Sequence, residues 1–150
     1  PAWKGGEYTS QPPGLRAAMG MLYLMSSAPL VQQAQAPTRE KADSIIRAYL
    51  DARMQSTDAN DFLYQFDASR DYDPSTHLAK ITAPALFINS ADDFVNPPEL
   101  GLAERYAKQM PRTQFIMLPI TPETRGHGTH SVPRIWGGQL AKFLGTLPER

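Results

Sequence analysis

The chain has no cysteine among its 150 residues. That excludes disulfides, thiolate metal sites and a cysteine nucleophile, and it leaves the redox compartment unreadable. Net charge is also absent, because 15 basic residues offset 15 acidic ones. A general binder of nucleic acid or anionic membrane needs a positive excess, so neither partner is expected. No apolar run approaches the roughly 20 residues that span a bilayer. The longest, Met19 to Met25, is interrupted by Gly20 and followed by Ser26-Ser27. No signal peptide is evident, and cytoplasmic and exported locations are not separated. No Gly-x-Ser-x-Gly occurs anywhere. At 41% hydrophobic and 20% charged, the rest is the composition of one globular domain.

Proline, by contrast, is abundant, with 14 residues against a roughly 5% average usage. Its gaps are informative. No proline lies between Pro37 and Pro74, and no glycine between Gly20 and Gly101. The stretch from Thr38 to Asp73 therefore lacks both helix breakers and reads as helical. Thr38 suits an N-cap, and Ala42, Ile45, Ile46, Tyr49 and Leu50 follow the spacing of one buried helix face. Asp58 suits the cap of a second helix carrying Phe62, Leu63 and Phe66 on one side. Leu15 to Ser27 is a third helical candidate.

The second half reads differently. Ala85-Leu86-Phe87-Ile88 is a short apolar run bounded by Pro84 and Asn89-Ser90, as expected of a buried parallel strand. Pro97-Pro98 opens a helix whose apolar face is Leu100, Ala103, Tyr106, Ala107 and Met110, stopped by Pro111. Gln114 to Leu118 is a second strand. After a loop from Pro119 to Gly128, a last helix begins near Ser131, turns Val132, Trp136, Leu140, Phe143 and Leu144 to the core, and ends at Gly145. The order is βαβα, which predicts parallel neighbouring strands. A parallel sheet needs more than two strands and cover on both faces, so the remaining strands are expected from sequence upstream of Pro1. A small helical domain with one βαβ insert is the alternative.

Ligands bind beyond the carboxyl ends of strands in open parallel sheets. Two loops leave such ends, one carrying Asp92-Asp93 and the next carrying His127 and His130. A carboxylate at the histidine Nδ1 fixes the tautomer and stabilises the imidazolium formed when Nε2 takes a proton. Asp93 is the preferred acid, with Asp92 a competitor suited to capping the loop. His127, next to Gly126, is the preferred histidine, with His130 better suited to capping the last helix. Each of these residues alone has an ordinary structural explanation; His77, ahead of the first strand, is expected at the surface. Acid then histidine, each after a strand, is the α/β-hydrolase order with its nucleophile earlier in the chain. Ser90, beside the acid, is poorly placed for activation through His127, so the serine is expected upstream of Pro1.

The chain resembles the C-terminal portion of an α/β-hydrolase of the homoserine O-acetyltransferase-like family. Pro1-Ala2-Trp3-Lys4-Gly5-Gly6-Glu7-Tyr8 with Gln11-Pro12-Pro13-Gly14-Leu15 resembles the segment leading into that family's helical lid. Asp58-Ala59-Asn60-Asp61-Phe62-Leu63-Tyr64 with Tyr72-Asp73 resembles the end of the lid. Ile81 to Pro98, followed by Gly126-His127, resembles the acid and histidine segments.

The resemblance implies an α/β fold divided into a lead-in over 1–14, a helical lid over 15–75 and a βαβα part of the core over 76–150. It implies Asp93 and His127 as triad acid and histidine, an ester or acyl-CoA substrate, no metal or bound cofactor, and a homodimer through the lid. One departure is that His127 is followed by Gly128-Thr129-His130-Ser131, where homoserine acetyltransferases typically have Asp and a large apolar residue. Another is the set Met19, Met21 and Met25, expected to form an adaptable apolar surface at the lid entrance. Esterase, transferase to another acceptor and true homoserine acetyltransferase all stay open. So does a non-catalytic interaction protein on the same scaffold.

Overall fold

The computed structural model describes residues 3–148. The chain forms two compact units, one of Pro1–Leu24 with Gln32–Asp73, the other of Met25–Val31 with Pro74–Arg150. The first takes in the expected lead-in together with most of the expected helical insertion.

The first unit is helical. Helix α1 spans Pro13–Met25, α2 (Pro29–Gln35) runs into this unit from the other, α3 spans Arg39–Ser56 and α4 spans Ala59–Asp67. Thr38 caps α3, its side chain accepting from the Lys41 N–H. Asp58 caps α4, accepting from the Asn60 and Asp61 N–H groups. The extended backbone at Thr57 and Asp58 separates the two helices, and after Asp67 the chain turns instead of staying helical to Asp73.

Helix α2 was not expected; it is short, and its apolar residues lack a clear helical period. The expected buried face of α3 is corrected too. Ile45, Ile46, Tyr49 and Leu50 are half-buried and Ala42 is exposed. The core of the unit is Leu15 and Met19 on α1. The Tyr23 and Tyr49 rings meet at a tilt, with centroids 4.9 Å apart, and Arg16 pairs with Asp51 at 2.8 Å. Met19 is 1% exposed whereas Met21 is 59% exposed, so the three methionines do not form one surface.

The N-terminal segment of this unit is pinned to the start of α4 by side chains. The Tyr8 hydroxyl donates to Asp58 at 2.6 Å and accepts from the Ala59 N–H at 3.1 Å. Gln11 donates to the Thr57 carbonyl and accepts from Ala59. The Trp3 indole N–H donates to the Asn60 side chain, which in turn donates to the Gly6 carbonyl. The free N–H groups of the first helical turn are thus satisfied from outside the helix.

The second unit holds the strands β1 (Ala85–Ser90) and β2 (Thr113–Leu118). They pair in parallel, in register from Ala85 opposite Thr113 to Ser90 opposite Leu118. Helix α5 (Leu102–Ala107) packs on both strands and α6 (Pro133–Leu144) on β1. Side chains alternate along a strand, so Leu86, Ile88 and Ser90 look to the α6 side.

The expected helix opening at Pro97-Pro98 is broken in two. A single 3-10 turn, Pro98–Leu100, ends at Gly101, whose φ of +61° is left-handed, and α5 starts after it. Leu100 is accordingly exposed, while Ala107 and Met110 are buried. Pro133 opens α6 and Gly145 closes it, but Leu144 is exposed, not core. Phe87 in β1 is 44% exposed, because the sheet has two strands among the described residues and one edge of β1 has no neighbour. Among those residues no helix is long and apolar enough to cross a membrane.

Candidate active site

The site lies at the carboxyl ends of β1 and β2. Past Ser90 the chain turns sharply, and Asp93 falls in a tight turn of its own making. Its Oδ1 accepts from the Val95 N–H at 2.8 Å and the Asn96 N–H at 3.1 Å. This Asx-type turn leaves Oδ2 free to face the neighbouring loop. There it meets Nδ1 of His127 at 3.1 Å, with the Asn96 amide at 3.4 Å. Asp93 is 4% exposed. Burial alone would raise its pKa. The Asn96 N–H, the His127 ring, the Val95 N–H and the Asn96 amide together outweigh that, and the carboxyl sits below its ordinary value.

The histidine loop is shaped by glycine. Gly126 has φ +58°, and a Cβ there would lie 2.6 Å from the Ser27 carbonyl oxygen and 3.1 Å from that of Asp92. No side chain fits, so the backbone passes tightly between the two before presenting His127. Gly128 donates to the Ser26 carbonyl at 3.2 Å and the Arg125 carbonyl at 3.1 Å. His127 itself is partly exposed. A carboxylate facing Nδ1 favours the tautomer protonated there, which puts the lone pair on Nε2. An open cavity of about 450 Å³ adjoins the ring, lined also by Leu86, Ile88, Leu118 and Trp136. That volume falls in the range of small-molecule sites.

The other candidates go elsewhere. Asp92 turns away from the imidazole and accepts from the Ser90 and Thr124 hydroxyls. His130 is exposed and does not cap α6. Its Nδ1 bonds the His127 carbonyl, its ring stands 5.1 Å from the His127 ring, and its carbonyl accepts from the Trp136 indole. Ser90 is 4% exposed and hydrogen-bonded to Asp92 and Thr129. His77 is exposed, with Nδ1 facing Lys80.

Asn96, Thr124 and Thr129 were not anticipated. Asn96 could have been found from the Asp-x-x-Asn spacing of the turn. The two threonines bond across loops and carry no local signal.

No protein-family model and no curated protein matches the chain. Solved structures do. A homoserine O-acetyltransferase from Bacillus anthracis superposes on 96% of this chain and 44% of its own, with a TM-score of 0.76 and 18% identity. MGS-M2, an α/β-hydrolase from a Medee basin deep-sea metagenome, covers 91% of this chain and 47% of its own at TM-score 0.60 and 19% identity. A Mycobacterium tuberculosis protein covers 94% and 47% at TM-score 0.52 and 19% identity. The chain spans less than half the length of each of these structures. Likeness at this identity is likeness of fold: the chain has an α/β-hydrolase type of fold, similar in structure to the matched part of homoserine O-acetyltransferase.

Proposed function

We propose that Asp93 and His127 are the acid and base of a Ser-His-Asp triad acting on an ester or acyl group, with the serine supplied from outside these 150 residues. One observation carries the reading: a buried carboxylate bonded to the Nδ1 of a partly exposed histidine, at the carboxyl ends of adjacent parallel strands of an α/β-hydrolase fold.

In this reading His127 Nε2 takes the serine hydroxyl proton as the oxygen attacks the carbonyl carbon. The imidazolium so formed is stabilised by Asp93, which stays ionised. His127 then returns the proton to the leaving alcohol or thiol, and the acyl group rests on serine. A water or alcohol acceptor, deprotonated by the same nitrogen, releases it. Water gives an esterase and an alcohol gives an acyltransferase. The likeness to homoserine O-acetyltransferase favours testing homoserine first among the alcohols. The apolar side chains beside His127 suit an acyl chain.

The test is an assay of the intact protein on a simple aryl acetate and on acetyl-CoA with homoserine. The expected result is turnover of at least one, lowered by about 10⁴-fold or more in His127→Ala. Turnover unchanged in His127→Ala would remove the histidine from the mechanism. Faster turnover with homoserine than with water separates the transferase from the esterase.

A further inference from the structure

The two adjacent aspartates of the β1 loop diverge, yet both end on the same histidine loop. Asp93 reaches the His127 ring, and Asp92 reaches the Thr124 hydroxyl three residues before it. We propose that Asp92 is a positioning residue which, through Ser90, Thr124 and Thr129, holds the histidine loop in the one register at which His127 meets Asp93. Its catalytic meaning rests on the triad reading above.

The ties bracket His127 on both sides. Before it in the chain, Thr124 is 1% exposed. Its hydroxyl lies 2.9 Å from Asp92 Oδ2 and 2.9 Å from the Thr121 carbonyl, and it accepts from the Thr121 N–H at 3.1 Å. A hydroxyl has one proton to give, and a carboxylate is the stronger acceptor. After His127, Thr129 is 3% exposed. Its hydroxyl accepts from the Arg125 N–H at 2.8 Å and stands 3.5 Å from Ser90 Oγ. Ser90 closes the chain by donating to Asp92 Oδ1.

The loop's own backbone bonds, such as Gly128 to Arg125 and Thr129 to Gly126, are local turns, whereas the Asp92–Thr124 and Ser90–Thr129 contacts tie those turns to the end of β1. Buried polar groups that are fully paired specify one arrangement, and removing one member leaves its neighbours unpaired. An aspartate at this point serves two hydroxyls on opposite oxygens, a role no neutral side chain of that size fills equally.

The experiment uses the intact protein, with the low-field NMR resonance of the His127 Nδ1 proton as the readout of the Asp93–His127 hydrogen bond. Thr124→Val keeps the volume and removes the hydroxyl, Thr124→Ser restores it, and Asp92→Asn weakens the acceptor. The expected result is that the resonance is lost or broadened in Thr124→Val and Asp92→Asn, well below their melting transitions, and returns in Thr124→Ser. Ester turnover should fall at least about 10-fold in kcat with KM little changed, again rescued by serine.

A folded Thr124→Val or Asp92→Asn that keeps the wild-type resonance overturns the proposal. Should Thr124→Val fail to fold, Asp92→Asn is judged by the same signal. The resonance needs no substrate, so it reads the positioning role even if activity independent of His127 were to sink the triad reading.

Discussion

Asp93 illustrates how a single residue is tuned. It is buried, which opposes its charge, but four donors including His127 more than compensate. Its folded pKa lies below the ordinary 3.8. The sign follows directly: its contribution to stability is fully present above that ordinary value and is lost as pH falls through the lowered one. Asp93→Asn should therefore flatten the acid limb of a stability-against-pH curve below about pH 4. At neutral pH it should cost about 1–3 kcal/mol, since donors to a buried charge lose their partner. Chemical denaturation of both proteins across that pH range checks it; parallel curves would refute it.

Gly126 is the second test at this scale. Its left-handed φ and a Cβ only 2.6 Å from the Ser27 carbonyl oxygen make Gly126→Ala costly by about 2 kcal/mol or more. A thermal melt checks this, and a melting temperature within a degree or so of wild type would contradict it.

Between elements, the Tyr8 hydroxyl joins the N-terminal segment to α4. Its pKa is raised, first by the hydrogen bond to Asp58 and then by burial, while that same bond lowers the pKa of Asp58. Tyr8→Phe should speed hydrogen exchange at the Ala59 and Asn60 amides, each of which loses one of its two acceptors, and leave α6 amides unchanged. Equal protection in both proteins would show that the network carries no local stability. Thr38→Ala should cost about 1 kcal/mol through loss of the α3 cap, read as a lower denaturation midpoint.

The elements themselves were unevenly legible from sequence. Thr38 and Asp58 signalled their helices because capping is local, and the two strands were plain because short apolar runs between turn residues have few other uses. The parallel pairing of β1 and β2 followed from their order. Helix α5 was misjudged because Gly101 adopts a positive φ that apolar spacing does not reveal. Leu144 and the face of α3 were misjudged because periodicity shows which side is apolar, not whether anything covers it. The meeting of Asp93 with His127 was legible because both follow strands that must be neighbours. The link from Asp92 to Thr124 was not, since a hydroxyl bonded across two loops leaves no spacing to read.

For the whole molecule, the partial coverage of its structural relatives gives physical sense to what is unusual in the fold. A parallel sheet of two strands among the described residues, with Phe87 exposed, is a strange object alone, because parallel strands are ordinarily covered on both faces. The chain spans less than half the length of the structures it is similar to. The proposed role of His127, oriented by Asp93, is to activate a serine in the intact protein. Labelling of the intact protein with a fluorophosphonate, wild type beside His127→Ala, tests it most directly. Covalent labelling of one serine is expected in the wild type and none in the variant at equal protein and time; a wild type that does not label, or a variant that labels at the wild-type rate, would remove His127 and the serine from this chemistry.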